Sequence, residues 1–337
     1  MSAPDLGVLR VRAIELHRVE MRFVQPVRTA LGSVEGRHPL LVRVLSEDGE
    51  EGWGECSAED RPGYWHEWAD GCEEILRPVE LVEVSADDIP AIKGWPMASA
   101  ALECAVLDAL CRRAGISLAS WLGGTRAAVD ATVTLGLDDP PDPGRYRFVK
   151  LKLAGAELPD LSPFAGLTVS ADANGSLDAA AFAALAGLGL DHVEQPLGAD
   201  DFEGHAALRR TVPGLAVALD ESIRTVGDIE AAGVLGAADI VVLKPGRLGG
   251  LRAARAAHDA AVAAGLRCKV GGMWDTGIGR AAALAVASLP GCTVPPDLAA
   301  ADRYWRRDIV AEPAVLDTEG RLRVPTDPGL GVAVTLR

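Results

Sequence analysis

An α/β protein built as a (β/α) barrel behind a smaller α+β domain is what this sequence predicts, and three observations carry the prediction. Charged residues recur at the ends of apolar runs: Lys150 and Lys152, then Asp172, Glu194, Asp220 and Lys244, with steps from Lys152 of 20, 22, 26 and 24 residues. Each step has room for one strand, one helix and two loops, the rhythm that brings distant residues to one face of a barrel. From Val129 onward, short Val/Leu/Ile runs alternate with Ala-rich helical stretches, as strands covered on both faces do. Before about residue 125 the pattern differs: alternating segments, then one long helix.

In that first part, residues 9–24 and 38–47 alternate like half-buried antiparallel strands, and Glu47, Asp48 and Gly49 supply a turn. The stretch WGECSAEDRPGYWHEW reads as a loop. Residues 98–114 carry apolar positions at helical spacing, with Gly115 placed to end the helix. The expected division is residues 1–125 for the α+β domain, 126–310 for the barrel and 311–337 for a C-terminal segment returning to the first domain.

Eight strands fit a closed parallel barrel: VDATVTLG, YRFVKLKLAG, LTVSADANG, HVEQPL, LAVALDES, DIVVLKPG, RCKVGG and CTVPPDL. An open doubly wound sheet would need a glycine-rich phosphate loop, and neither GxGxxG nor GxxxxGK[ST] is present.

Composition narrows the function. With 33 Lys+Arg against 48 Asp+Glu the formal charge is −15, and no basic cluster stands out, which speaks against nucleic acid and anionic membranes as partners. A small anionic substrate remains compatible, since a local metal and lysines set the field in a pocket. The six cysteines at 56, 72, 104, 111, 268 and 292 form no CxxC pair and read as buried thiols. No secretory signal or uncharged 18-residue span is apparent, so the expectation is a cytoplasmic protein, with a homo-oligomer possible.

The chemistry follows from residue types. Side chains alternate along a strand, so Lys150 and Lys152 face the same pocket. A second ammonium nearby disfavours protonation, which makes Lys152 the candidate base and gives Lys150 the task of tuning it and meeting a substrate carboxylate. Asp172, Glu194 and Asp220 are three hard oxygen ligands for magnesium, leaving three octahedral positions for water and substrate. Such an ion stabilises the enediolate formed when a proton leaves carbon α to a carboxylate. Lys244 supplies a second acid, base or fixed charge. Each residue has a plainer reading: Asp172 in DANG as an Asx turn, Glu194 before Gln195 and Pro196 as a loop charge, Lys244 in KPG as a solvated turn. The spacing of the whole set favours a site.

The segments VKLKLAG, ADANGSL, VEQPL, ALDES, VVLKPGRLGG and VGGMWDTGIGR, in this order, resemble the enolase superfamily in its muconate-lactonizing subgroup. AALECAVLDALCRRAGISLASWLGG is similar to the helix ending that family's capping domain. The resemblance implies a barrel of modified TIM type under an N-terminal capping domain, Mg2+ (with Mn2+ able to substitute) on Asp172, Glu194 and Asp220, and Lys152 and Lys244 as the acid–base pair. It further implies dehydration of 2-succinyl-6-hydroxy-2,4-cyclohexadiene-1-carboxylate, as in o-succinylbenzoate synthases; N-acylamino acid racemases, dipeptide epimerases and muconate cycloisomerases share the constellation. A short interval between KxK and ADANG looks more like the synthases, and VPPDLAAADRYW lacks the epimerases' DxD.

Substrate selection is expected from Phe23–Thr29 and the Glu55–Trp65 loop, with Arg28 a candidate for a distal carboxylate. Asn174, two residues beyond Asp172, should lie at the same strand end. Gly271 and Gly272, beside Met273, should let substrate approach the backbone. Trp53 and Trp65 divide between core and pocket, and all six histidines, His66 among them, read as structural. A metal-dependent hydrolase would usually want histidine ligands, and an aldolase one lysine. A non-catalytic barrel has no need of three inward lysines.

Overall fold

The computed structural model describes residues 4–29, 32–136, 139–153, 155 and 157–336, with the side chains of residues 28, 29 and 32 excluded. The N-terminal part is built on strands β1 (Val8–Arg18), β2 (Met21–Thr29), β3 (Gly32–Arg37), β4 (Leu40–Ser46) and β5 (Glu51–Cys56), with helix α1 (Ala69–Leu76) and strand β6 (Glu83–Ser85). Its sheet runs β5-β4-β1-β6, while β2 and β3 form a separate hairpin. The stretch expected as one strand over residues 9–24 therefore breaks at Val19 and Glu20, and β2 leaves the sheet. Residues 53–56, expected in a loop, are strand β5, buried on both faces because α2 (Pro96–Ala114) lies across it. The contact is close: a Cβ at Gly54 would stand 1.9 Å from the Ala101 carbonyl oxygen, so glycine is required there. Helix α2 ends where the sequence indicates, at Gly115 with φ 69°.

After α3 (Leu118–Leu122) and strand β7 (Ala128–Asp130) comes the barrel sheet. Its strands are β8 (Thr132–Leu135), β9 (Phe148–Lys152), β10 (Thr168–Asp172), β11 (His192–Glu194), β12 (Ala216–Leu219), β13 (Ile240–Leu243) and β14 (Arg267–Val270). Every pairing is parallel and joins sequence neighbours. Helices α4 (Ala179–Ala184), α5 (Phe202–Thr211), α6 (Val226–Leu235), α7 (Pro245–Leu248), α8 (Leu251–Ala263) and α9 (Gly277–Ala287) intervene. Among the described residues seven regular strands form where the sequence predicts eight. The eighth, CTVPPDL, runs beside β14, with Val294 N donating to the Cys268 carbonyl and Asp297 N to the Val270 carbonyl, but Pro295 and Pro296 bring no N–H and no regular ladder forms.

Beyond α10 (Ala301–Tyr304), strand β15 (Arg321–Arg323) pairs with β7, and the last turns reach α2 and α3: Leu330 N donates to Asp108, Leu118 N to the Gly329 carbonyl. No helix among the described residues is long and apolar enough to cross a membrane.

Candidate active site

Parallel strands leave their C-terminal ends on one side, and here those ends present a row of charge. In sheet order the row is Lys150 and Lys152 on β9, Asp172 closing β10, Glu194 closing β11, Asp220 just past β12 and Lys244 just past β13. The register fixes the alignment: Lys152 lies opposite Asp172, and Asp172 opposite Glu194. The carboxylates occupy the middle of the row, and Lys152 and Lys244 flank it.

All three carboxylates are buried. Lys150 Nζ stands 3.0 Å from Asp172, 2.9 Å from Glu194 and 2.6 Å from Asp297. Burial works against its charge, but those three carboxylates outweigh it and push the pKa well above the ordinary lysine value. Three carboxylates thus hold this ammonium in place. Lys269, which the sequence reading passed over, is buried below: its Nζ is 2.9 Å from Glu194 and 2.9 Å from Asp297, and 3.2 Å from His192 Nε2. Glu194 is accordingly driven well below the carboxylate range by Lys150 and Lys269, against the pull of burial. His192 is held low by burial and by Lys269, consistent with a neutral ring accepting from that ammonium.

The strand ends are backed by strained turns. Asn174, Gln195 and Trp274 are the non-glycine residues with positive φ among those described, each shortly after a barrel strand. Gln195 ties two ends together: its Oε1 accepts from Asp220 N at 3.0 Å and Ser222 N at 3.2 Å. The only sequence signal for Gln195 was its adjacency to Glu194.

Lys152 is 38% exposed; its Nζ donates to Asp172 Oδ2 at 2.7 Å and Asn174 Oδ1 at 2.8 Å. Lys244 is buried; its Nζ donates to Asp220 Oδ2 at 2.8 Å and to the Tyr64 hydroxyl at 2.9 Å. Burial lowers the Lys244 pKa, but Asp220 and Tyr64 raise it further, so the net direction is up. Arg247, on α7, completes this end: fully buried, it donates to Asp220 Oδ1 at 2.5 Å and stacks 5.6 Å from the Trp65 ring. Arg247 and Lys244 overcome the effect of burial on Asp220 and hold its carboxyl below the usual range. In the sequence Arg247 is marked by nothing beyond its place one helical turn past Lys244 in KPGRL.

Gly271 also has a neighbour that the sequence does not announce. A Cβ there would meet Lys244 Cε at 2.7 Å, so the missing side chain makes way for the lysine. Gly272 packs against the Asp297 carbonyl and Leu298. Met273 is partly buried, and its carbonyl accepts from Arg37. Together with Glu55, Ser57, Asp275 and Lys244 it lines a small cavity between the N-terminal domain and the barrel. Trp53 belongs to the N-terminal core beside Arg43, and Trp65 to the site. His66 meets only the Gly94 carbonyl among the described hydrogen bonds. The Arg28 side chain lies outside the described residues.

Among the described residues no three His, Cys, Asp or Glu side chains stand as a ready-made metal cage, because cations of the protein bridge the carboxylates. The donor chemistry nevertheless fits a hard divalent ion: three buried carboxylates on adjacent strand ends, two of them within 3.0 Å of one ammonium.

Residues 163–337 match the family described as enolase C-terminal domain-like, and residues 13–123 match the mandelate racemase / muconate lactonizing enzyme N-terminal domain. The chain belongs to the enolase superfamily. It is 40% identical to an N-succinylamino acid racemase of Amycolatopsis sp, over 96% of this chain and 95% of the relative. It is 34% identical to the o-succinylbenzoate synthase of Bacillus subtilis (strain 168), over 97% and 95%. A solved enolase superfamily member from Enterococcus faecalis V583 superposes with a TM-score of 0.87 at 30% identity, over 98% of this chain and 96% of that one. Enolase superfamily enzymes act on small carboxylate substrates with a divalent metal, typically Mg2+.

Proposed function

We propose that this enzyme abstracts a proton from the carbon α to a substrate carboxylate, with Lys152 and Lys244 as its acid–base groups and Asp172, Glu194 and Asp220 as its metal ligands. The observation that carries the reading is the row itself: two lysines flanking three buried carboxylates. Magnesium bound to those carboxylates would take up the substrate carboxylate and offset the charge that develops as the proton leaves. Lys152, the more exposed ammonium, is the group a substrate can reach; Lys244 is fixed from two sides. The substrate we assign is 2-succinyl-6-hydroxy-2,4-cyclohexadiene-1-carboxylate. Lys152 takes its α-proton, then returns a proton to the departing hydroxyl, giving 2-succinylbenzoate and water. Relatives named o-succinylbenzoate synthase, 33–34% identical over at least 97% of this chain, support that reading.

Racemisation of N-succinyl amino acids is the second reading, favoured by the placement of one lysine at each end of the row and by the racemase relative. There Lys152 and Lys244 exchange the proton across the two faces of one carbon. The deciding experiment follows the diene absorbance with and without Mg2+, beside deuterium exchange into N-succinyl amino acids. Magnesium-dependent loss of the diene that disappears in Lys152→Ala supports the synthase. Exchange without diene loss leaves the racemase, and neither activity would sink α-proton chemistry.

A further inference from the structure

The two flanking lysines, drawn from strands separated by the whole carboxylate row, are joined by a continuous chain of hydrogen bonds. Lys152 Nζ donates to Asn174 Oδ1 at 2.8 Å, and Asn174 Nδ2 donates to Glu221 Oε1 at 3.0 Å. From the other side, Lys244 Nζ donates to the Tyr64 hydroxyl at 2.9 Å, which donates to the same Glu221 Oε1 at 3.1 Å. One carboxylate oxygen is thus the meeting point of three segments: the turn after β10, the turn after β12 and the loop between β5 and α1. Its other oxygen, Oε2, is buried without a hydrogen-bond partner among the described residues.

We propose that Glu221 is a positioning residue that sets both lysines at once, through Asn174 on the Lys152 side and Tyr64 on the Lys244 side. Each lysine also touches a carboxylate, Asp172 or Asp220, but those two are the metal ligands of the reading above, on which this inference rests. Asn174 and Tyr64 are the partners each lysine keeps when Asp172 and Asp220 are engaged elsewhere. A long lysine stem loses placement easily, and a displacement of about 1 Å at a reacting group costs on the order of a hundredfold in rate. The chain runs through an amide, so its role is geometric: it aims the two ammonium groups and does not carry protons between them.

Enantiomer-resolved exchange tests this. Using the full chain with Mg2+, exchange of the α-hydrogen for deuterium is followed separately in L- and D-N-succinyl amino acids. Lys152→Ala and Lys244→Ala assign one lysine to each enantiomer. Asn174→Ala should then slow the enantiomer assigned to Lys152, and Tyr64→Phe the one assigned to Lys244, each by roughly tenfold to a hundredfold, with the opposite enantiomer changed less than about threefold. Glu221→Ala should slow both, and Glu221→Gln, which keeps an accepting oxygen, should recover most of the loss. Calorimetric Mg2+ affinity should stay within about threefold in all of these, with melting temperatures confirming folded protein. Equal effects of Asn174→Ala and Tyr64→Phe on both enantiomers, or a collapse of Mg2+ affinity in Glu221→Gln, would overturn the positioning role. Wild-type protein that exchanges neither enantiomer overturns the racemase reading alone, and this inference then stands or falls on magnesium-dependent diene loss, which Asn174→Ala and Glu221→Ala should slow and Glu221→Gln should largely restore.

Discussion

The two ends of the carboxylate row are built in opposite ways. At the Lys152 end every described partner comes from the barrel, and the side chain is 38% exposed. At the Lys244 end the ammonium is buried and shares its surroundings with Tyr64 and Trp65 from the N-terminal domain and with Arg247. Among the described residues, the N-terminal domain therefore reaches Lys244 and not Lys152. An end open to solvent suits a group that must meet substrate and exchange its proton; a buried end, charged on all sides, suits one whose position matters most.

The largest expected effect removes the ends one at a time. Lys152→Ala should lower turnover on either candidate substrate by about 10² to 10⁴, the range of a positioned acid–base group. Lys244→Ala should do the same to racemisation. Diene dehydration, in which one base does both proton transfers, should fall less, and equal losses on both substrates would erase the contrast between the ends.

Next comes the buried charge behind Lys244. Arg247→Met leaves Asp220 without its shortest cationic contact while keeping an apolar stem, and breaking a buried pair from one side costs about 3–5 kcal/mol. Urea titration of the metal-free protein should show this loss. Adding Mg2+ should restore part of it, because a cation at the carboxylates takes over the missing charge.

Legibility in the sequence followed the same asymmetry. The barrel rhythm, helix α2 with its Gly115 terminus, and the row from Lys150 to Lys244 were readable because strand period and strand-end position are local properties. Tyr64, Arg247, Lys269 and Glu221 were not, since their significance lies in contacts across 27 to 180 residues. The absent Cβ of Gly271 is legible in the sequence, but the Lys244 stem packed against it comes from the end of the neighbouring strand, which no spacing within one segment reveals. The split of residues 9–24 into β1 and β2 was hidden for a related reason: alternation continues through both, and only pairing partners separate them.

The seam between the domains gives a pH signature. Glu55 reaches from β5 to the start of α9, where its carboxylate accepts from Thr276 N at 3.0 Å, Gly279 N at 2.9 Å and the Thr276 hydroxyl at 2.6 Å. Burial, reinforced by Asp275, nevertheless pushes its pKa up to about 7 from an ordinary 4.5. A carboxyl raised on folding holds its proton longer in the folded state, so its contribution to stability is fully present below about 4.5 and is lost as pH rises towards 7. The change is about 3 kcal/mol at most. Glu55→Gln should flatten that part of the stability–pH curve measured by urea titration, and an unchanged slope would remove Glu55 as its source.

The smallest substitution makes the sharpest test of the contrast between the ends. Gly271→Ala adds one methyl group, and that methyl would stand 2.7 Å from Lys244 Cε and 2.9 Å from Val242 Cγ1. Backbone φ at Gly271 is not in the left-handed region, so the cost is steric, about 1–3 kcal/mol of overpacking, and it falls on the Lys244 stem as the movable neighbour. Lys152, on β9 and four strand pairings away from β13, is untouched by it. Steps that depend on Lys244 should therefore slow by about tenfold or more while those of Lys152 stay within about threefold, read as enantiomer-specific deuterium exchange. If both slow together, the ends are not independent of one another in the way their surroundings indicate, and the coupling through Glu221 transmits more than the position of each ammonium.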